Sequence, residues 1–192
     1  MTTRSATRPK PTIVAHLPAM LIRPTIATDI ADLTAIYGHH VRHGTGTFET
    51  EAPSEAEMQA RWQSVIGLGM PHLVLAHEER VRGFAYAQPF RPRQAYRYCL
   101  EDSIYMAPDL VGQGLGRALL AELIARAERL GARQMVAVIG DSNNRASIGL
   151  HQGLGFVDAG RLHASGWKHE RWLDVVLMQR HLGAGDESPP GP

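Results

Sequence analysis

Only one cysteine, Cys99, stands in the 192-residue chain, so no internal disulfide can form and a reducing, cytoplasmic setting is expected. No apolar run approaches the roughly 18 residues that a membrane-spanning helix needs, so a membrane partner is not expected. An excess of one charge is also missing. Twenty Lys and Arg against nineteen Asp and Glu leave a formal charge of +1 without long like-charge runs, which argues against nucleic acid as the main ligand. The ten histidines show no Glu-flanked ligand spacing, and no metal is expected. No internal repeat is visible.

What the chain does have is 44% apolar residues, enough at this length for one well-buried domain and too few residues for two. Residues 1–20 carry Arg4, Arg8 and Lys10 but no acidic residue, and Pro11 and Pro18 break any apolar or helical core. They read as a flexible arm rather than a signal peptide or an amphipathic transit helix. Residues 183–192 (GAGDESPPGP) are polar and rich in Pro and Gly, a composition expected to stay disordered. The folded body is therefore expected over residues 21–182.

Within that body, Leu21–Pro24 reads as a strand. Thr28 is the expected cap of a helix whose apolar residues Ile30, Leu33, Ile36, Tyr37 and Val41 recur at helical spacing. Ser54 with Glu57 forms a capping box that starts a second helix running through Met58, Trp62 and Val65. Strands are expected at His72–His77, Val81–Gln88 and Tyr98–Met106. Leu119, Leu120, Leu123, Ile124, Ala127 and Leu130 form the apolar stripe of a third helix that begins near Leu115 and stops at Gly131. Met135–Ile139 is a continuous apolar run, as in a strand buried on both faces. Asp141 or Ser142 is expected to cap a last helix ending near Gly153, and strands Phe156–Leu162 and Asp174–Met178 follow. This order describes an α/β chain with a mixed sheet.

Between the third of these helices and the strand before it lies Val111-Gly112-Gln113-Gly114-Leu115-Gly116-Arg117-Ala118. A strand, a turn and glycines opening a helix aim several backbone N–H groups at a positive helix end, where diphosphate is stabilised. A Walker A loop would need Gly-Lys-Ser/Thr after four intervening residues, and a dinucleotide fingerprint would need a third glycine where Leu119 stands. The plain alternative is a tight turn and nothing more. Upstream, Arg91, Arg93 and Arg97 crowd the loop that leads into Glu101. Guanidinium groups bind carboxylates and phosphinates in a bidentate way, so an amino acid or acidic analogue is a reasonable ligand. The alternative is that surface arginines merely solvate this loop.

With Gly114 and Gly116 at the two small positions of an Arg/Gln-x-x-Gly-x-Gly/Ala signature, the sequence resembles the GCN5-related N-acetyltransferases (GNAT). Val111 departs from the pattern where the family carries Arg or Gln. A closer match spans Ile22 to Leu182. It includes Ala35-Ile36-Tyr37-Gly38-His39, Thr47-Phe48-Glu49, Gly83-Phe84-Ala85-Tyr86, Glu101-Asp102-Ser103-Ile104-Tyr105 and Lys168-His169-Glu170-Arg171-Trp172-Leu173-Asp174. These fragments resemble the phosphinothricin and methionine sulfoximine acetyltransferase branch.

The resemblance implies a GNAT fold, a mostly antiparallel mixed sheet of about seven strands with about four helices. It also implies acetyl transfer from acetyl-CoA to the amine of a small molecule of phosphinothricin, methionine sulfoximine or methionine sulfone type. Glu101 aligns with the branch's general base; the alternative is an ordinary solvated strand carboxylate. Asp102 points to the opposite face by strand alternation and is left out of the mechanism. The backbone of Ile104, Tyr105 and Met106 would hold the pantetheine arm. Gly112, Gln113, Gly114, Leu115, Gly116 and Arg117 would cradle the pyrophosphate, joined by Asn144, Ser147 and Gly153. His151 occupies a position where relatives carry a tyrosine that protonates the departing thiolate, and histidine can donate a proton near neutral pH. The alternative is a helix-surface histidine. Phe48, Arg93, Gln94, Ala95 and Tyr96 would face the acceptor, and relatives pair as homodimers. Other readings are a protein-amine or polyamine acetyltransferase, and a non-catalytic coenzyme A sensor.

Overall fold

The computed structural model describes residues 20–77, 80–110 and 114–190. The N-terminal arm through residue 19, and Val111, Gly112 and Gln113 of the glycine-rich loop, lie outside the described residues. Seven strands form one sheet: β1 (Met20–Pro24), β2 (His72–His77), β3 (Arg80–Pro89), β4 (Cys99–Met106), β5 (Gln134–Gly140), β6 (Val157–Lys168) and β7 (Arg171–His181). Their order is β1-β2-β3-β4-β5-β7-β6, and every pairing is antiparallel except β4 with β5.

Helices α1 (Ile30–His43) and α2 (Glu55–Gly67) cover one face, where Ile30, Leu33, Ile36, Tyr37, Val41 and Met58 pack on Val74 and Phe84. On the other face, α3 (Leu115–Arg129) and α4 (Arg145–Gly153) cover the larger core. Leu119, Leu120 and Leu123 are fully buried there, each contributing about 1.5–3 kcal/mol of transfer free energy. Leu130 is instead exposed, because it lies past the last helical turn.

Local chemistry explains the element ends. Ser54 and Glu57 form the expected reciprocal capping box. Thr28 does not cap α1. The chain first makes a 3-10 turn over Ala27–Asp29, and the Asp29 carboxylate accepts from the Ile26 N–H and pairs with Arg23 at 2.7 Å. Neither Asp141 nor Ser142 caps α4 either. Asn144 does, its side-chain oxygen accepting from the Ser147 N–H, while Asp141 closes the preceding turn by accepting from the Asn143 N–H. β5 is not buried on both faces throughout, since Val138 is exposed. β6 and β7 run longer than their apolar cores because they form a hairpin whose turn residues His169 and Glu170 adopt positive φ, as a two-residue primed turn requires. The C-terminal segment does not hang free: the Arg133 guanidinium donates to the Gly185 carbonyl, the Ser188 hydroxyl and the Pro189 carbonyl.

His72 is buried beside Thr25 and stacks on Tyr86, and burial pushes its pKa down to about 4. An unfolded chain takes up this proton near pH 6.5, so the unfolded state binds more protons between that value and about 4. This residue is therefore expected to cost folding stability as the pH falls through that window. Thermal unfolding followed by circular dichroism should show a steeper loss of Tm between pH 7 and 5 in the parent than in His72→Gln. Parallel curves would mean that another group controls the acid limit.

Candidate active site

β4 is where the sheet opens. Its parallel ladder with β5 covers only Cys99–Asp102 against Gln134–Ala137. Beyond Asp102 the two strands part, β4 staying with β3 as far as Met106 and β5 staying with β7 as far as Gly140. The β5-facing backbone edge of Ser103–Met106 thus has no ladder partner, so Ile104, Tyr105 and Met106 can offer main-chain groups to a ligand lying in the cleft. The far end of this edge is pinned by His40 of α1, whose Nε2 lies 2.8 Å from the Met106 carbonyl oxygen.

Side chains of β4 alternate about this opening. Glu101 and Tyr105 face α1 and α2, whereas Leu100, Asp102, Ile104 and Met106 face α3 and α4. Half-buried Glu101 stands opposite Gln88 of β3, and burial raises its carboxyl pKa against the opposing charge of Arg91. A carboxyl moved toward neutrality is suited to taking a proton from an ammonium group. Beside it, a cavity of about 210 Å³ opens over β3, lined by Tyr37, Arg61, Trp62, Tyr86 and Gln88 among others.

On the other face, His151 is not a surface residue. It is 2% exposed, its Nδ1 lies 2.8 Å from the Ser147 carbonyl oxygen, and its Nε2 lies 3.0 Å from Asp102 Oδ2. Asp102 points away from Glu101, as strand alternation requires, and on that face it meets His151, which gives it a place in the site that alternation alone does not. The signal was available: a carboxylate between core-facing Leu100 and Ile104 cannot be buried without a partner.

The described part of the glycine-rich loop begins at Gly114, which caps α3 with φ of 77°. Leu115, Gly116 and Arg117 form the first turn, and the Arg117 guanidinium lies over Gly153, 2.6 Å from where a Cβ would stand. Cleft and helix start fit a long ligand with a pyrophosphate, since open backbone and a positive helix end adjoin. Asn144 and Ser147 are committed locally: Asn144 Nδ2 donates to the Gly140 carbonyl at 3.0 Å, and its oxygen caps α4.

The residues expected around the acceptor do not all gather at Glu101. Arg93, Gln94, Ala95 and Tyr96 are exposed on a 3-10 turn before β4, and it is Arg91 whose charge reaches Glu101. Phe48 is wedged at the far end of β5, where a Cβ on Gly140 or Gly166 would stand 2.5 or 2.4 Å from its ring. Glu101 pairs with Val136, four residues before Gly140, so this ring lies roughly 13 Å along the sheet at ~3.3 Å per residue. Its loop is held by Lys168, buried and donating to the Thr47 carbonyl at 2.7 Å. Arg91 belongs to the arginine-rich loop expected beside Glu101, whereas His40 and Lys168 carry no sequence signal for their parts in this site.

His39 and His43 stand one turn apart on α1, their ring centroids 4.8 Å apart, but no group of three or more His, Cys, Asp or Glu among the described residues could hold a metal ion. Cys99 is a poor nucleophile, as burial raises its thiol pKa.

Residues 34–156 match the acetyltransferase (GNAT) family. The chain is 51% identical over 172 residues to a phosphinothricin N-acetyltransferase of Alcaligenes faecalis, covering 90% of this chain and 87% of that protein. It is 38% identical to an L-methionine sulfoximine/L-methionine sulfone acetyltransferase of Salmonella typhimurium, covering 85% of this chain and 95% of that one. The crystal structure of a GNAT superfamily phosphinothricin acetyltransferase from Sinorhizobium meliloti, in complex with acetyl-CoA, superposes with a TM-score of 0.86 at 45% identity, covering 90% and 93% of the two chains. The parted strands, the glycine-capped helix and these likenesses agree, and the chain belongs to the acetyltransferase (GNAT) family.

Proposed function

We propose that this protein transfers the acetyl group of acetyl-CoA to the amine of a small amino acid or analogue, of phosphinothricin, methionine sulfoximine or methionine sulfone type. The observation that carries this reading is the half-buried Glu101, with its raised pKa, beside an opening between β4 and β5. Acetyl-CoA supplies an activated thioester. The glycine-rich segment Gly112, Gln113, Gly114, Leu115, Gly116 and Arg117 holds the pyrophosphate, joined by Gly153, and Asn144 and Ser147 shape the neighbouring end of α4. Main-chain groups of Ile104, Tyr105 and Met106 hold the pantetheine arm, and an N–H among them polarises the acetyl carbonyl.

Amine ammonium groups have pKa values of about 8 to 10, so Glu101 raises the reactive fraction near neutral pH by accepting the proton, directly or through one water. His151 supplies a proton on the opposite face as the thiolate leaves. Arg91, with Arg93, Gln94, Ala95 and Tyr96, receives the acidic end of the acceptor, and Phe48 closes the far end of the site.

The test is thiol release from acetyl-CoA with methionine sulfone, methionine sulfoximine and phosphinothricin. Release with at least one is expected, and an intact thioester with all three while coenzyme A still binds overturns the reading. Within that assay, Arg91→Ala should raise KM for phosphinothricin by about tenfold, the loss expected for a charged hydrogen bond. Because the Arg91 charge opposes the burial of Glu101, its removal should also move the acid limb of the pH profile to higher pH. An unmoved limb separates Arg91 from the base.

The protein is a cytoplasmic homodimer in this reading. Among the described residues no helix is long and apolar enough to cross a membrane. Edge strand β6 exposes Val157, Leu162 and Trp167, and Trp172 of β7 pairs across from Trp167, apolar surface suited to a second copy.

A further inference from the structure

The contact between His151 and Asp102 has its proton count fixed by its geometry. Nδ1 of His151 faces a carbonyl oxygen at 2.8 Å, which can only accept, so Nδ1 carries a hydrogen. Nε2 faces Asp102 Oδ2 at 3.0 Å, and two acceptors do not sit at that distance, so a second proton lies between them. Imidazole and carboxyl together therefore carry no net charge and one transferable proton. Their side chains are 3% and 1% exposed, and Asp102 Oδ1 is buried without a hydrogen-bond partner among the described residues. Burying this carboxylate half-satisfied is costly for a fold that needs only packing here. Its place accounts for that cost: Asp102 is the last residue of the β4–β5 ladder, at the point where the cleft opens.

Other charges near this end of α4 do not supply the same effect. Arg117 of α3 lies over Gly153, and Arg180 of β7 donates to the Leu154 carbonyl. Both are cationic and oppose protonation of the ring, while β5 carries no titratable side chain. Burial alone would push the imidazole pKa down; the Asp102 carboxylate, with the Ser147 carbonyl, more than offsets it and the pKa is raised.

We propose that Asp102 is a positioning residue that keeps His151 oriented and protonated where β4 parts from β5, so that the proton shared by His151 Nε2 and Asp102 Oδ2 passes to the departing coenzyme A sulfur. This rests on the acetyl-transfer reading above. As the C–N bond forms and the C–S bond breaks, the sulfur takes the bonding electron pair and the proton shared by Nε2 and Oδ2. The pair is left as neutral imidazole and carboxylate, and it regains a proton from solvent. The acceptor ammonium has lost two protons, one through Glu101 and one from the new amide nitrogen, so one proton is released per turnover.

The test reads the ring directly and then the reaction. Histidine ¹⁵N chemical shifts, with His151 assigned by its loss in His151→Gln, should show the parent ring titrating above its ordinary value of 6.5. In Asp102→Asn it should titrate below that value. The alkaline limb of kcat should move to lower pH in Asp102→Asn, with kcat lowered by about 10- to 100-fold and KM for acetyl-CoA nearly unchanged. In the His151→Gln background, Asp102→Asn should cost nothing more, whereas independent losses would multiply. A parent ring that titrates below its ordinary value overturns the proposal even if Asp102→Asn fails to fold. An unmoved alkaline limb in a folded Asp102→Asn also overturns it, in an enzyme whose parent form transfers acetyl. A parent form that transfers acetyl to no acceptor fails the reaction itself, a separate result.

Discussion

Glu101→Gln is expected to lower turnover by about a hundredfold or more while leaving coenzyme A affinity nearly unchanged, as when a general base is lost without change of shape. The replacement keeps the size of the side chain and its place opposite Gln88, so the sheet should be undisturbed. What it removes is the ability to accept a proton. In the parent the acid limb follows deprotonation of Glu101, whose pKa is raised from its ordinary value because burial outweighs the Arg91 charge. The rate should therefore rise with pH through that raised value in the parent, and this component should vanish in the variant. Residual activity should climb only with the free amine fraction of the acceptor, toward its own pKa of about 8 to 10. Steady-state kinetics across pH and a direct coenzyme A titration separate the two effects. Near-normal turnover at neutral pH would remove Glu101 from the mechanism.

How much could be read before the structure depended on whether a signal was local. The stripe Leu119, Leu120, Leu123, Ile124 and Ala127 marked the buried face of α3 because helical spacing and burial coincide there. The Ser54–Glu57 box placed the start of α2 because both partners sit within one turn. The caps that failed were decided by tertiary competition. Thr28 is displaced by a 3-10 turn closed by Asp29, which also pairs with Arg23, and Asp141 pairs with Arg171 at 2.8 Å, leaving Asn144, three residues on, to cap α4. The extent of β6 and β7 was hidden because their outer residues are polar or exposed and show no alternation; only pairing across the His169–Glu170 turn defines them.

The site was legible on one face of the sheet and obscure on the other. Glu101 could be singled out by resemblance, and its neighbours by the arginine-rich loop. Which arginine matters could not, since Arg91 and Arg93 differ only in how the loop folds over β4. Asp102 illustrates the opposite failure. Alternation correctly sent it to the other face, but without the packing of α4 on β5 nothing in the sequence brought residue 151 to it, 49 positions away. The parting of β4 from β5 is likewise a property of pairing, visible only once the ladder is seen to stop at Asp102 and Ala137.

Gly114→Val should weaken coenzyme A binding by at least about tenfold and leave the fold intact, the second large effect expected here. Gly114 caps α3 with φ of 77°, a left-handed conformation that costs an ordinary residue roughly 1–2 kcal/mol and a β-branched one more. Among the described residues, its chain neighbours aside, a Cβ there would meet no atom within 4 Å, so the penalty of valine falls on the backbone conformation. Relieving that strain turns the N–H groups at the start of α3 away from the pyrophosphate they are placed to bind. Gly116 provides the control, since its Cβ would come no closer than 3.6 Å to Met106 and its backbone is helical. Gly116→Ala should bind coenzyme A almost as the parent does. Isothermal titration with coenzyme A and with dephospho-coenzyme A, which keeps the pyrophosphate, should show both ligands weakened by Gly114→Val to a similar degree. Unchanged affinity in Gly114→Val would reduce the loop to a turn, and equal losses in both variants would point to crowding of α3 rather than to the left-handed cap.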